Sequence, residues 1–307
     1  MSVHETTAPH NKFDPSLAER IAIFSPKLSS EITSHLEAWP YSEIFLVAHR
    51  GAGKRIDGEQ RLAPENTVKA MQAASRSGFR AVEFDLTVNL HANESPTVFS
   101  FHSDDPLERI TNGTGFPFDK SWQYLQSLEI AGEKIPNSAE MAAVCRTLQL
   151  TPLIEIKVPY PEDKETSKEI GRIIAHDVRR FYYDFDPPPA LLSFSDDALI
   201  GAGDFFPRIR NIRGSDQFNK ETLPGWITLA KQNGYCGLDP DQRLITSSDL
   251  VTQVQNEGLH LISYLANDFG NIIPEEDKRI IELSKWGVEM AITDLIHRVK
   301  PHNSLPH

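Results

Sequence analysis

From about residue 44 onward the chain alternates short β-prone runs with helical stretches, and no other feature restricts its fold so tightly. The runs are IFLVAH (44–49), AVEFDL (81–86), TVFSFH (97–102), PLIEIKV (152–158), ALLSFS (190–195), RIRNI (208–212), YCGLDP (235–240), HLISYL (260–265) and VEMAIT (288–293). Helical patterns fall at 67–77, 138–149, 164–182, 223–234, 247–258 and 274–287. Strand followed by helix, repeated, builds a parallel sheet covered by helices. Roughly eight repeats favour an α/β (β/α)8 TIM barrel, a fold that commonly takes ~250 residues. An open dinucleotide-binding sheet is disfavoured, because no GxGxxG follows the first strand.

Nine strand candidates are one too many for a simple barrel. The surplus lies between the second and third runs, where Val88–Pro96 is too short for a helical crossover and reads as a hairpin. A turn near His91–Glu94 would set His102 opposite Glu83 on one face of that pair. Residues 103–137, rich in Gly, Asn and Pro, are then a small insertion after the third strand, beside the barrel mouth. Residues 1–42 form an N-terminal extension, helical within Pro15–Leu36 with Asp14 as N-cap, and residues 43–307 form the barrel.

Side chains alternate along a strand, so when Val82, Phe84 and Leu86 face the helices, Glu83 and Asp85 face the lumen. By the same phase Ile154 and Ile156 point outward while Glu155 and Lys157 point in. His49 and His102 end the first and third runs. Barrel active sites are built at the C-terminal ends of the strands, where these groups converge. Three carboxylates in an apolar surround repel one another unless a cation holds them or each is separately paired, Glu155 with Lys157 or Arg50, for example. A hard divalent ion with oxygen ligands, Mg2+ or Ca2+, suits Glu83, Asp85 and Glu155. Two histidines titrating near neutral pH can remove a proton from a nucleophile and return one to a leaving group. A phosphodiester is the matching electrophile, since its non-bridging oxygens suit a metal, a lysine and an arginine.

The net charge of −12, with no Lys/Arg block longer than two, argues against a nucleic-acid partner or an anionic membrane surface. The two cysteines, Cys145 and Cys236, are far apart and form neither a CxxC nor a metal motif, so both read as inert thiols. The first 30 residues lack the apolar core of a secretory signal, and no run of ~18 apolar residues could span a bilayer. A cytoplasmic setting is the expectation.

AHRG (48–51) followed by APENT (63–67), VEFD, a histidine closing the next strand, RITNGTG (109–115), KIP (134–136) and IEIK (154–157) resembles the glycerophosphodiester phosphodiesterase family, with LLSFS and AITD (291–294) extending the likeness over about residues 46–299. The resemblance implies a (β/α)8 fold and metal-dependent hydrolysis of small glycerophosphodiesters to an alcohol and a phosphomonoester. It implies Glu83, Asp85 and Glu155 as ligands of one divalent cation, His49 and His102 as the catalytic pair, and Arg50 and Lys157 on the phosphate. Glu65 and Asn66 read mainly as helix-start and supporting residues, and the RITNGTG glycines as turn formers.

Three positions depart from the family pattern. Aspartate normally follows the second histidine at once, whereas here the run is HSDD, which displaces Asp104; LHANES replaces a short DG turn; and Tyr264 stands where a tryptophan would contact substrate. Two other readings are a phospholipase D-type enzyme acting on lysophospholipid or sphingomyelin, and a barrel that binds a phosphodiester without cleaving it. The phospholipase relatives generally carry a cysteine-closed loop after the second histidine, and residues 103–110 contain no cysteine.

Overall fold

The computed structural model describes residues 44–53, 63–91, 94–159, 163–265 and 276–294; the expected extension at 1–42, with Asp14, lies outside them. In chain order the elements are β1 (Phe45–Ala48), α1 (Val68–Arg76), β2 (Ala81–Val88), β3 (Val98–Ser100), α2 (Trp122–Ser127), β4 (Glu129–Ile130), β5 (Glu133–Lys134), α3 (Ser138–Leu148), β6 (Thr151–Ile156) and α4 (Lys164–Phe181). They continue with β7 (Ala190–Ser193), α5 (Asp196–Ala202), β8 (Arg208–Ile212), α6 (Leu223–Asn233), β9 (Gly237–Pro240), α7 (Ser248–Asn256), β10 (His260–Tyr264), α8 (Glu276–Lys285) and β11 (Met290–Thr293).

Eight parallel strands close on themselves in the order β1, β2, β6, β7, β8, β9, β10, β11, and β11 returns to β1 with Phe45 beside Met290 and Ala48 beside Thr293. The fold is a (β/α)8 TIM barrel. Each strand is too apolar to leave one face in water, and alternation sorts its side chains into two cores. Phe45, Val47, Leu153, Leu192, Ile209 and Ile262 fill the lumen, whereas Leu46, Val82, Phe84, Ile154, Leu191 and Leu261 pack under the helices.

The helices begin where short polar side chains can take up unpaired N–H groups. Thr67 caps α1, Asp163 caps α4 and Ser195 caps α5, while Asn137 and Glu140 bond each other's backbone N–H in a reciprocal box at α3. Two glycines let α4 and α5 touch backbone to backbone. A Cβ at Gly171 would lie 2.0 Å from the Ala198 carbonyl oxygen, and one at Gly201 would lie 2.0 Å from that of Lys168.

The ninth strand, β3, pairs antiparallel with β2, as a hairpin requires, but in a register one residue from the expected one. Leu86 faces Ser100 and Val88 faces Val98, so His102 is not opposite Glu83. Asn89 sets this register, because its backbone N–H donates to Thr97 O and its side-chain oxygen accepts the Thr97 N–H at 2.6 Å. The strand ends at Ser100, and a turn in which Asp105 N–H donates to His102 O redirects the histidine. Beyond it, residues 101–137 carry α2, the β4–β5 hairpin and a small separate core around Phe99, Phe101, Leu107, Leu125 and Ile130.

Candidate active site

Neighbouring strands β2 and β6 bring the expected carboxylates together. Glu83, Asp85 and Glu155 each offer an oxygen, all three within 4.8 Å of one another, and all three residues are buried. This cluster could hold a metal ion. Among the described residues Glu83 Oε1 is buried without a hydrogen-bond partner, so an oxygen-seeking cation would satisfy what the protein leaves open.

The charges are set against one another. Burial, and then the neighbouring Asp85 and Glu155 carboxylates, push Glu83 well above its ordinary range. Burial likewise raises Glu155 to about 7, against the pull of Lys157, whose Nζ lies 2.7 Å away. Asp85 is buried too, yet Lys157, Arg50 and His102, with a hydrogen bond from Asn66, hold it below the usual carboxylate range. Lys157 Nζ is 3.5 Å from Asp85, and Arg50 Nε is 3.6 Å from it.

A group whose folded-state pKa is raised binds more protons folded than unfolded, so its contribution to stability is present below the unfolded value and is lost as pH rises through the folded one. For Glu155 that window runs from the ordinary glutamate value of 4.5 to about 7, and Glu83 acts in the same sense. Thermal melts of metal-free protein are therefore expected to fall in Tm between pH 5 and pH 8. Added divalent cation should restore more stability at pH 8 than at pH 5, and a pH-independent restoration would contradict the assignment.

Arg50 and Asn66 hold the carboxylates from behind. Both have left-handed backbone, φ 48 and 59, uncommon for residues with a Cβ. Their hydrogen bonds offset the strain: Arg50 N–H donates to Glu83 Oε2 at 3.0 Å, and Asn66 N–H donates to Arg50 O at 3.1 Å. The Asn66 side chain grips Asp85 twice, donating to Oδ2 at 2.7 Å and accepting the Asp85 backbone N–H at 3.1 Å. Glu65 accepts from Arg50 Nη1 at 2.6 Å and is fully buried. Thr67 closes the segment as the α1 cap, so APENT starts a helix and supports the carboxylates at once.

The two histidines have different surroundings. His49 Nδ1 is 2.8 Å from Asp294 Oδ1, and its Nε2 faces Arg50 Nε at 3.3 Å and Glu83 Oε2 at 3.9 Å. His102 Nδ1 is 2.7 Å from Asp105 Oδ2, and its Nε2 is 3.7 Å from Asp104 Oδ2. Burial, then the Arg50 and Lys157 charges, push the His102 imidazole well below its ordinary pKa. Asp105 therefore has the position at Nδ1, while Asp104, nearly half exposed, reaches toward Lys157 Nζ at 3.3 Å.

Tyr264 is the expected residue least directly joined to this cluster. Its hydroxyl donates to Ile212 O at 3.0 Å, and its ring meets Phe194 edge-on at 5.7 Å. Phe194, half-buried at the end of β7, carries the contact onward, with Lys157 Nζ 5.7 Å and Arg213 Cζ 5.0 Å from its ring centroid. Asp294, Asp105 and Phe194 were not singled out from sequence. Met290, Ile292 and Asp294 share the inward phase of β11, so the alternation that located His49 would also have located Asp294. Asp105 lies in a turn, where no period operates.

A family model described as glycerophosphoryl diester phosphodiesterase matches residues 49–298. Glycerophosphodiester phosphodiesterase 1 of Bos taurus is 29% identical over 148 residues, which is 45% of this chain and 40% of that protein. A glycerophosphodiester phosphodiesterase of Caldanaerobacter subterraneus is 29% identical over 132 residues, 39% of this chain and 49% of that protein. The chain thus spans about half or less of the length of these curated relatives. Among solved structures, an Oleispira antarctica phosphodiesterase in complex with the product sn-glycerol-3-phosphate superposes with a TM-score of 0.66 at 21% identity, covering 83% of this chain and 94% of that one. A Parabacteroides distasonis glycerophosphodiester phosphodiesterase gives 0.64 at 20% identity, covering 84% and 95%. These two likenesses bear on the fold. With the family model spanning the barrel from His49 past its last strand, the chain belongs to the glycerophosphoryl diester phosphodiesterase family.

Proposed function

We propose that the protein hydrolyses small glycerophosphodiesters, or related sugar phosphodiesters, to an alcohol and a phosphomonoester, using one divalent cation, Mg2+ or Ca2+, and two histidines. The carrying observation is the buried triad of Glu83, Asp85 and Glu155 beside two imidazoles and two cations. Glu83, Asp85 and Glu155 would hold the metal, which when bound neutralises charge on the phosphate oxygens. Arg50 and Lys157 add fixed positive charge for the same oxygens.

His102, kept neutral by burial and by Arg50 and Lys157, is the group to accept the proton of the attacking hydroxyl. His49, held by Asp294 at Nδ1 with its Nε2 turned toward Glu83 and Arg50, takes the other half of the pair and protonates the leaving alkoxide. Phe194, backed by Tyr264, is the wall against which the alcohol portion would rest. Among the described residues no helix is long and apolar enough to cross a membrane.

The test is a product-release screen over glycerophosphodiesters and sugar phosphodiesters with Mg2+ or Ca2+ supplied, reading the phosphomonoester formed. Turnover is expected with at least one glycerophosphodiester and is expected to vanish on chelation with EDTA. Full activity in a demonstrably metal-free sample would remove the cation from the reading. Faster release from lysophosphatidylcholine than from glycerophosphocholine would reassign the enzyme to lipid substrates.

A further inference from the structure

We propose that Arg109, from the insertion after β3, is a positioning residue that ties the two catalytic histidines into one rigid unit. The inference rests on the acid/base reading above. Arg109 ends a single helical turn, Leu107–Arg109, whose Leu107 is fully buried in the insertion core. Leu107 N–H donates to Gly115 O at 2.8 Å and Thr111 N–H donates to Leu107 O at 2.9 Å, so the turn is fixed from both sides.

From this anchor the guanidinium reaches two carboxylates with different edges. Its Nε lies 2.9 Å from Asp105 Oδ2, the oxygen that faces His102 Nδ1, a charge contact rather than an aligned hydrogen bond. Its Nη2 contacts Glu65 Oε1, and its Nη1 is 3.5 Å from Glu65 Oε2. Glu65 in turn holds Arg50 Nη1, and Arg50 Nε faces His49 Nε2. A continuous path of contacts thus runs from His102 through Asp105, Arg109, Glu65 and Arg50 to His49.

The planar fork is what makes the bridge. A rigid guanidinium spreads its positive charge over three nitrogens and can set it against two carboxylates at once, whereas an ammonium on a flexible stem is a single point of charge. Glu65 already has Arg50 as a partner, and the insertion has its own apolar core. Arg109 is therefore dispensable for neutralising Glu65 or for folding the insertion, and what it adds is the distance and angle between the two. Proton transfer depends on such placement, because misplacement by ~1 Å costs on the order of 10²-fold in rate.

Arg109→Gln is expected to lower kcat by ~10- to 100-fold, the usual range for partners that orient active groups, with KM and Tm little changed. Arg109→Lys should recover part of the loss, since it can keep one carboxylate and not both. The double variant Arg109→Gln/Asp105→Asn should be no slower than the slower single variant, because both changes cut the same path. Unchanged kcat in Arg109→Gln, full recovery with lysine, or losses that multiply in the double variant would each overturn the proposal. Should Arg109→Gln fail to fold, Arg109→Lys and Asp105→Asn decide it by the same comparison. His102→Ala in the same assay keeps the two ideas apart, because normal turnover there defeats the acid/base reading itself.

Discussion

Turnover of a His102→Ala variant is expected to fall by ~10²-fold or more, with the fold and metal binding retained. The imidazole is buried beside Asp85, Lys157 and Arg50, and no neighbouring side chain among those can replace it as a neutral base: both cations stay protonated and Asp85 stays ionised. His49→Ala should cost as much by a different route, because it also leaves Asp294 without its imidazole partner. Steady-state kinetics on the best substrate of the screen, with Tm and metal titration alongside, separate loss of chemistry from loss of structure. Near-normal kcat in either variant removes that histidine from the mechanism.

A second large effect is expected far from the chemistry. Gly171→Ala puts a methyl 2.0 Å from the Ala198 carbonyl oxygen, and Gly201→Ala does the same against Lys168 O. Both obstacles are backbone, so relief requires α4 and α5 to separate. Overpacking of this kind costs typically ~1–3 kcal/mol and occasionally more, which for a chain of this size lowers Tm by several degrees. Gly225→Ala in α6 is the internal control, since its Cβ would meet nothing within 4 Å. There a gain of ~0.4–1 kcal/mol is expected from the reduced freedom of the unfolded chain. Thermal or urea melts decide both, and equal effects at Gly171 and Gly225 would contradict the close approach.

How far these features could be read in the chain itself depended on whether a period was present. Strands such as β2, with Val82, Phe84 and Leu86 out and Glu83 and Asp85 in, carry their own orientation. That phase, repeated in β6, was enough to bring Glu83, Asp85 and Glu155 to one place. Where the period is missing, the reading failed or was silent. The β2–β3 register depends on the Asn89 side chain bonding the Thr97 backbone, a contact between loop residues that no alternation encodes. The helices α2 and α5, of 6 and 7 residues, are too short to show a stripe and were not anticipated. Tyr264 has the inward phase expected of it, but where its hydroxyl goes depends on the neighbouring strand's Ile212 carbonyl.

His49 ends the first strand and Asp294 follows the last, 245 positions apart, yet the two side chains meet at 2.8 Å. On a ribosome the histidine would emerge well before its carboxylate and wait for it until almost the whole barrel had left the exit tunnel. Competence would then switch on only when the ring is sealed, so release of product from a stalled nascent chain would report the moment of closure.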